Sequence, residues 1–326
     1  MKSKRLTAVT CLALLLPGLP LVAAETLIAQ PPVELAGTKG KFDFIKIDSK
    51  QNRLLACHTA NGSLDVIDGA TSRLLKSISV GAAQGVAIDT KGGRYLVSVS
   101  KPPKLVIIDS TRLEVTGEVP LANPADVMAY NSDLDRAFVC NDEKPELWVI
   151  DPAAKTIVAT LQMPGQGMED LGFDDKGVYL YQCLKDSSEL AQIDARKQQV
   201  ITNWPTAPAE KPHGMAVVPG SNSALVVGGN GKLVFMDLSS GKVLASCDVT
   251  PRVDEIAYDP GLKRVYCASG LGTISVVALD QNKLTTLAAL PDSAGAHSIA
   301  VDPNTHTVWI AFSKDSSAYV QAFVNK

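Results

Sequence analysis

The sequence holds only four histidines, and two of them sit in matching phrases. "KPHGMAV" (residues 211–217) carries His213 and "GAHSIAV" (295–301) carries His297, with Asp254 at the corresponding place between them. Two imidazoles and a carboxylate aimed at one point form a ligand set for Zn, Fe, Mn or Cu. Without a metal the same groups make an acid–base pair, because clustered carboxylates raise one another's pKa and favour protonated imidazole. Whether the three converge depends on the elements that carry them.

Those elements belong to a repeat that runs the whole length. An apolar strand ending in Asp, a turn, a second strand and then "L-x-V-I-D" first appears as "FIKIDSKQNRLLAC…LDVID" (Phe44 to Asp68). It last appears as "SIAVDPNTHTVWIAF…YVQAF" (Ser298 to Phe323). The first anchors are Asp48, Asp89, Asn131, Asp174, Val218, Asp259 and Asp302, spaced 41 to 44 residues apart. Short Val/Ile/Leu-rich strands split by Gly/Asp/Asn/Pro turns, seven times over, predict an all-β, seven-bladed propeller of four-stranded blades. The seventh copy stops one strand short, while "TLIAQPPVEL" (26–35) matches the fourth strand of other blades, such as "LLKSISV" (74–80). The N-terminal strand is therefore expected to complete the last blade and hide two open sheet edges.

The phrase "RxYV…LxVID" on this period resembles the YVTN-type repeat of exported bacterial YncE-like propellers. The resemblance covers residues 26–326. It implies an architecture more than an activity, because propellers host enzymes, carriers and docking platforms alike. The copies depart from the pattern in places: blade IV, for example, lacks the arginine after the turn, and blade V has Val218 for the first Asp.

Features shared by most blades are expected to be scaffold. Asp48/Arg53, Asp89/Arg94 and Asp259/Arg264, with Asn131/Arg136, span a hairpin turn across which they can pair. The aspartates closing "VID" (Asp68, Asp109, Asp151, Asp194, Asp237) are expected to cap turns. Cys57 and Cys140 share a column of small residues and are expected in the core, as are cysteines generally. Cys140–Cys183 and Cys247–Cys267 remain open as bridges. His306, in the turn "DPNTHT", is expected to be solvated.

One column breaks the scaffold rule. Five residues before each anchor stand Asp43, Gln84, Asp126, Glu169, His213, Asp254 and His297: always polar, yet varying in identity. Large apolar residues follow, as in Ile45/Ile47 and Leu171/Phe173, with a small residue between them in six blades. This innermost strand is thus buried on both faces, and the polar column should ring the mouth of the central channel, the natural ligand site of a propeller. Links between second and third strands are expected to bring His58, Lys101, Asn141, Asp142, Lys185, Asn230 and Lys314 to the rim. A wide, wet mouth also needs polar groups for solvation alone.

The first residues have a basic head (Lys2, Lys4, Arg5), an apolar run from Leu6 and a small-residue exit at Val22 and Ala24. They predict a signal peptide over 1–24, followed by a single propeller domain over 25–326, and hence periplasmic or secreted localisation. Cleavage removes three positive charges and no negative ones, taking the net charge from −3 to −6. An acidic chain with no basic run disfavours nucleic acid and anionic lipid as partners, and no later segment is apolar enough for a membrane span. There is no GxSxG, HExxH or Walker loop.

Two functions follow. The first is a non-catalytic binding propeller whose mouth receives a small molecule, a metal ion or a protein partner. The second is a metal-dependent lactonase- or lyase-type enzyme, by analogy of architecture with exported lyases such as virginiamycin B lyase. In it, one divalent ion on His213, Asp254 and His297 would polarise a carbonyl or activate water, with Glu169 or Asp126 as base. The binding reading ranks first because no nucleophile or base–orienter pair stands out in the sequence.

Overall fold

A computed structural model describes residues 27–325; the expected signal peptide, residues 1–24, lies outside them. All regular structure among the described residues is strand, arranged as seven antiparallel blades of a β-propeller. Blade I is typical: Ile45–Asp48 lies innermost, followed outward by Arg53–His58, Ser63–Asp68 and Leu74–Ser79. The middle strands are buried almost throughout, and the outer ones are largely exposed because they face solvent.

The last blade closes as expected. Its strands Ser298–Val301, Val308–Lys314 and Ser317–Asn325 come from the C-terminal end of the chain. Leu27–Ala29 pairs with the outermost of them, Leu27 opposite Asn325 and Ala29 opposite Phe323, and Val33–Lys39 continues along the same edge. The core lies between blades rather than within them. Leu55, Cys57 and Val66 of blade I, for example, pack on Val86, Tyr95 and Val97 of blade II.

The scaffold residues act partly as expected. Asp68, Asp109, Asp151, Asp194 and Asp237 accept backbone N–H groups two or three residues on, and so cap their turns. The Asp–Arg pairs differ. Only Arg94 bonds its own anchor, Asp89, at 2.6 Å. Arg53 donates to Ser110 O of blade II, Arg136 pairs with Asp151, and Arg264 donates to Asn325. For Arg53 and Arg264 the neighbouring blade offers the acceptor, and for Arg136 the next strand of its own blade does; the anchors find other donors, as Asp48 accepts the Tyr95 hydroxyl of blade II at 2.7 Å. His306 is likewise recruited, with Nδ1 2.8 Å from Asp259 Oδ2 of blade VI. The five described cysteines are free thiols, four of them buried, and neither of the two open bridges forms.

Candidate functional site

All seven residues of the polar column are half-buried and stand at the start of the innermost strands. The backbone explains their aim. In blades III to VI the register slips by one residue at this point: Ala125 pairs with Asn141 but Met128 with Val139, and Met168 with Leu184 but Leu171 with Gln182. Blades V and VI repeat the slip between Pro212/Met215 and Val253/Ile256. Each is a β-bulge, which bends the strand and re-aims its side chains. Asp126, Glu169, His213 and Asp254 are each the first residue inside their bulge. In blade II, Gln84 occupies a similar irregularity. "PHG" acquires a physical reason as well. A Cβ on Gly214 would lie 2.7 Å from Asp254 O and 3.0 Å from Ile256 N, so only glycine lets blades V and VI approach this closely.

Glu169, His213 and Asp254 converge most tightly, with one ligand atom from each within 4.8 Å of the others. His213 Nε2 stands 3.8 Å from Glu169 Oε1. His213 Nδ1 donates to Lys211 O at 2.9 Å, which leaves Nε2 as the nitrogen facing the cluster. His297 joins through Asp254: its Nδ1 lies 2.8 Å from Asp254 Oδ2, and again Nε2 is left over. Orienting Nδ1 in this way is how proteins fix the tautomer of a ligating or acid–base histidine. Lys185 forms an ion pair with the same Glu169 oxygen, Oε1, that faces His213. His213 and Asp254 remain 23% and 39% exposed, within reach of an incoming ion or ligand.

The electrostatics are those of crowded carboxylates. Burial, then repulsion from Asp254, raises Asp43 to about 7. Burial, Asp43 and Glu169 push Asp126 well above the ordinary range. Burial also raises Glu169, against the lowering influence of His213 and Lys185. Asp254 is the exception. Burial opposes its charge, but the His297 hydrogen bond and the charges of His297 and His213 together hold it below the ordinary carboxylate value. The same hydrogen bond raises His297 against burial. With its amide turned so that the nitrogen meets acceptors, Gln84 donates to Asp43 Oδ2 at 3.0 Å.

A cavity of about 390 Å³ opens at this point, lined by His213, Arg252, Asp254, His297 and three glycines, Gly229, Gly270 and Gly295. Among the link residues, Lys185 reaches the ring. His58 and Asn141 do not line the rim as expected. His58 is fully buried, its Nδ1 2.7 Å from Asp65 Oδ2 and its Nε2 near Lys39 O and Gly40 O. Asn141, 2% exposed, is held by Glu146. Sequence reasoning also passed over Asp170 and Glu255, the second residues of their bulges. Both are acids in a column otherwise filled by Phe44, Gly85, Val127, Gly214 and Ser298. A reading one position further along the strand would have found them.

A family model described as "Cytochrome D1 heme domain" matches residues 33–247, about two thirds of the chain. The chain belongs to the cytochrome D1 heme domain family. Of the ring, Asp43, Gln84, Asp126, Glu169 and His213 lie inside the matched segment of this family, and Asp254 and His297 lie beyond it. No curated protein matches the sequence. Among solved structures, a chain of the mitotic checkpoint complex is similar at TM-score 0.79 and 14% identity, over 98% of this chain and 99% of that one. A chain of Kuenenia stuttgartiensis hydrazine synthase is similar at TM-score 0.74 and 15% identity, over 90% and 99%. U3-55K is similar at TM-score 0.76 and 10% identity, over 92% and 99%. At such identities these likenesses show the propeller fold alone.

Proposed function

We propose that this is an exported, YncE-like propeller that binds one divalent transition-metal ion at the channel mouth and presents it to a small ligand or protein partner. The observation that carries the reading is the convergence of Glu169, His213 and Asp254 within 4.8 Å, with His213 turned so that Nε2 faces the carboxylates. One imidazole and two carboxylates suit zinc, manganese or ferrous iron. His297, held on Asp254, and Lys185, held on Glu169, orient and balance the two oxygen ligands.

The family's description raises haem as a ligand, and the residues at the mouth do not fit one. His213 and His297 each have a nitrogen of the kind that holds haem iron. However, the cavity lining, mostly glycine and polar side chains, offers no Phe, Tyr or Trp face for the macrocycle. A larger cavity, about 690 Å³ at the turns of blades IV and V, contains no histidine, cysteine or methionine.

The hydrogen bond between His297 and Asp254 supports the lactonase- or lyase-type reading as a second one. An imidazole oriented by a carboxylate, with Nε2 open to the cavity, is a general base beside a Lewis acid.

Titration of the mature, chelator-stripped protein with Zn²⁺ or Mn²⁺ tests the proposal. The expected result is one ion per chain, with Glu169→Gln, His213→Ala and Asp254→Asn each weakening affinity tenfold or more. No stoichiometric binding, or binding indifferent to all three substitutions, would remove the metal from the proposal.

A further inference from the structure

We propose that the channel beyond the mouth holds a second site, for a small organic ammonium ion bound by Glu255. Glu255 is the second residue of the blade VI bulge and is only 4% exposed. Its Oε2 accepts the Ile299 N–H of blade VII at 2.7 Å. Its Oε1 is buried and has no hydrogen-bond partner among the described residues, Lys46 included. A buried carboxylate oxygen left in this state costs free energy unless a donor reaches it. It borders a cavity of about 230 Å³ running between the inner strands of blades I, IV, V, VI and VII.

The lining defines the missing donor. Asp170, the matching bulge residue of blade IV, faces the same cavity, but its oxygens already accept Leu171 N at 2.8 Å and Met215 N at 3.0 Å. Lys46 also lines it, the one large residue in a column of alanines and glycine. With both carboxylates ionised, the two and the Lys46 ammonium leave a formal charge of −1, which a ligand carrying one positive charge complements; in the empty cavity burial and the neighbouring carboxylates oppose that ionisation of Glu255. A bare metal ion is a poor match, because calcium takes six to eight oxygens and this cavity offers one uncommitted carboxylate oxygen. The remaining walls include Phe44, Phe173 and Met215, apolar side chains that suit an alkyl chain. At about 30 Å³ per water the space holds roughly seven waters, or a ligand of about that many heavy atoms. A primary alkylammonium of four or five carbons meets each condition: N–H donors for Oε1, one charge and an apolar body.

The site uses none of the metal ligands, although Glu255 and Asp170 directly follow Asp254 and Glu169, and it is read in the metal-free protein. n-Butylammonium chloride is titrated into the full mature chain by calorimetry, in a background of sodium chloride. Saturable binding at one per chain is expected. Glu255→Gln, which keeps an acceptor for Ile299 N–H, should weaken it tenfold or more. Lys46→Met should tighten it severalfold by removing a competing positive charge, and that variant decides the matter should Glu255→Gln fail to fold. No saturable binding, equal affinity in Glu255→Gln, or weaker binding in Lys46→Met would each overturn the inference. So would displacement of butylammonium by potassium or calcium at matched ionic strength, which would make the site one for an inorganic cation.

Discussion

Asp254 and Asp43 show how one mouth holds carboxylates of opposite character. Asp254 keeps its charge because His297 donates to it at 2.8 Å and His213 stands near. Asp43 has no such cation in contact, and burial with the Asp254 charge raises it to about 7. The sign of the consequence follows. With its pKa raised, Asp43 retains in the fold a proton that the unfolded chain releases near pH 4. Asp43 therefore withdraws stability from the metal-free protein as pH climbs from about 4 to about 7, with its penalty complete above that. Asp43→Asn should remove this penalty, so its melting temperature relative to wild type should rise by a few degrees more at pH 8 than at pH 5. Thermal denaturation in chelator at the two pH values checks it. A pH-independent difference would mean that Asp43 titrates in its ordinary range. The residue types at the mouth were legible from the sequence, since seven polar identities in one register are readable without coordinates. Their grouping was not. That Glu169 approaches His213 and Asp254 most closely, with His297 attached through Asp254, depends on ring geometry that spacing does not encode.

At the level of the strand, the bulge is the device that builds the site. One extra residue in the innermost strands of blades III to VI turns two successive side chains out of the regular alternation, so both can serve the channel. The sequence showed the apolar alternation but not the slip, because a bulge is defined by the partner strand as much as by its own residues. Gly214 is the element's tightest point. Gly214→Ala places a methyl against backbone atoms of blade VI at 2.7 and 3.0 Å, and backbone cannot yield as a side-chain tip can. Overpacking of this kind costs about 1–3 kcal/mol, and the shift would carry His213 away from Glu169. The expected result is a lower melting temperature together with weaker metal binding. A variant of unchanged stability and affinity would show that the strand relaxes freely. The scaffold arginines teach a related lesson. Their recurrence marked them as structural, but in three of four blades the partner is something other than the anchor in the same hairpin.

Closure of the ring is a property of the whole molecule. Ser317–Asn325 would be an open edge without Leu27–Ala29 and Val33–Lys39, and Leu27 lies directly opposite Asn325. Deleting residues 25–39 should leave that edge free to pair with other chains, giving aggregation or a melting temperature lower by ten degrees or more. Moving the same segment to follow Asn325 through a two-residue turn, with the new chain starting at Lys41, should restore a monomeric ring. Size-exclusion chromatography and melting curves of the two variants test this. Failure of the permuted chain to recover would mean that order of synthesis, rather than pairing, makes the segment necessary.

The sequence by itself determined the blade count, the four-stranded unit and the N-terminal closure, because the repetition of short apolar strands between turns is a local, additive signal. It also placed the polar column at one end of the innermost strands. Only the tertiary structure decided that His58 is locked to Asp65 rather than offered at the rim, that the cysteines stay thiols, and that Asp170 and Glu255 enter the channel. Each depends on which atoms meet across a blade interface, and such contacts arise only when seven similar units close into a ring.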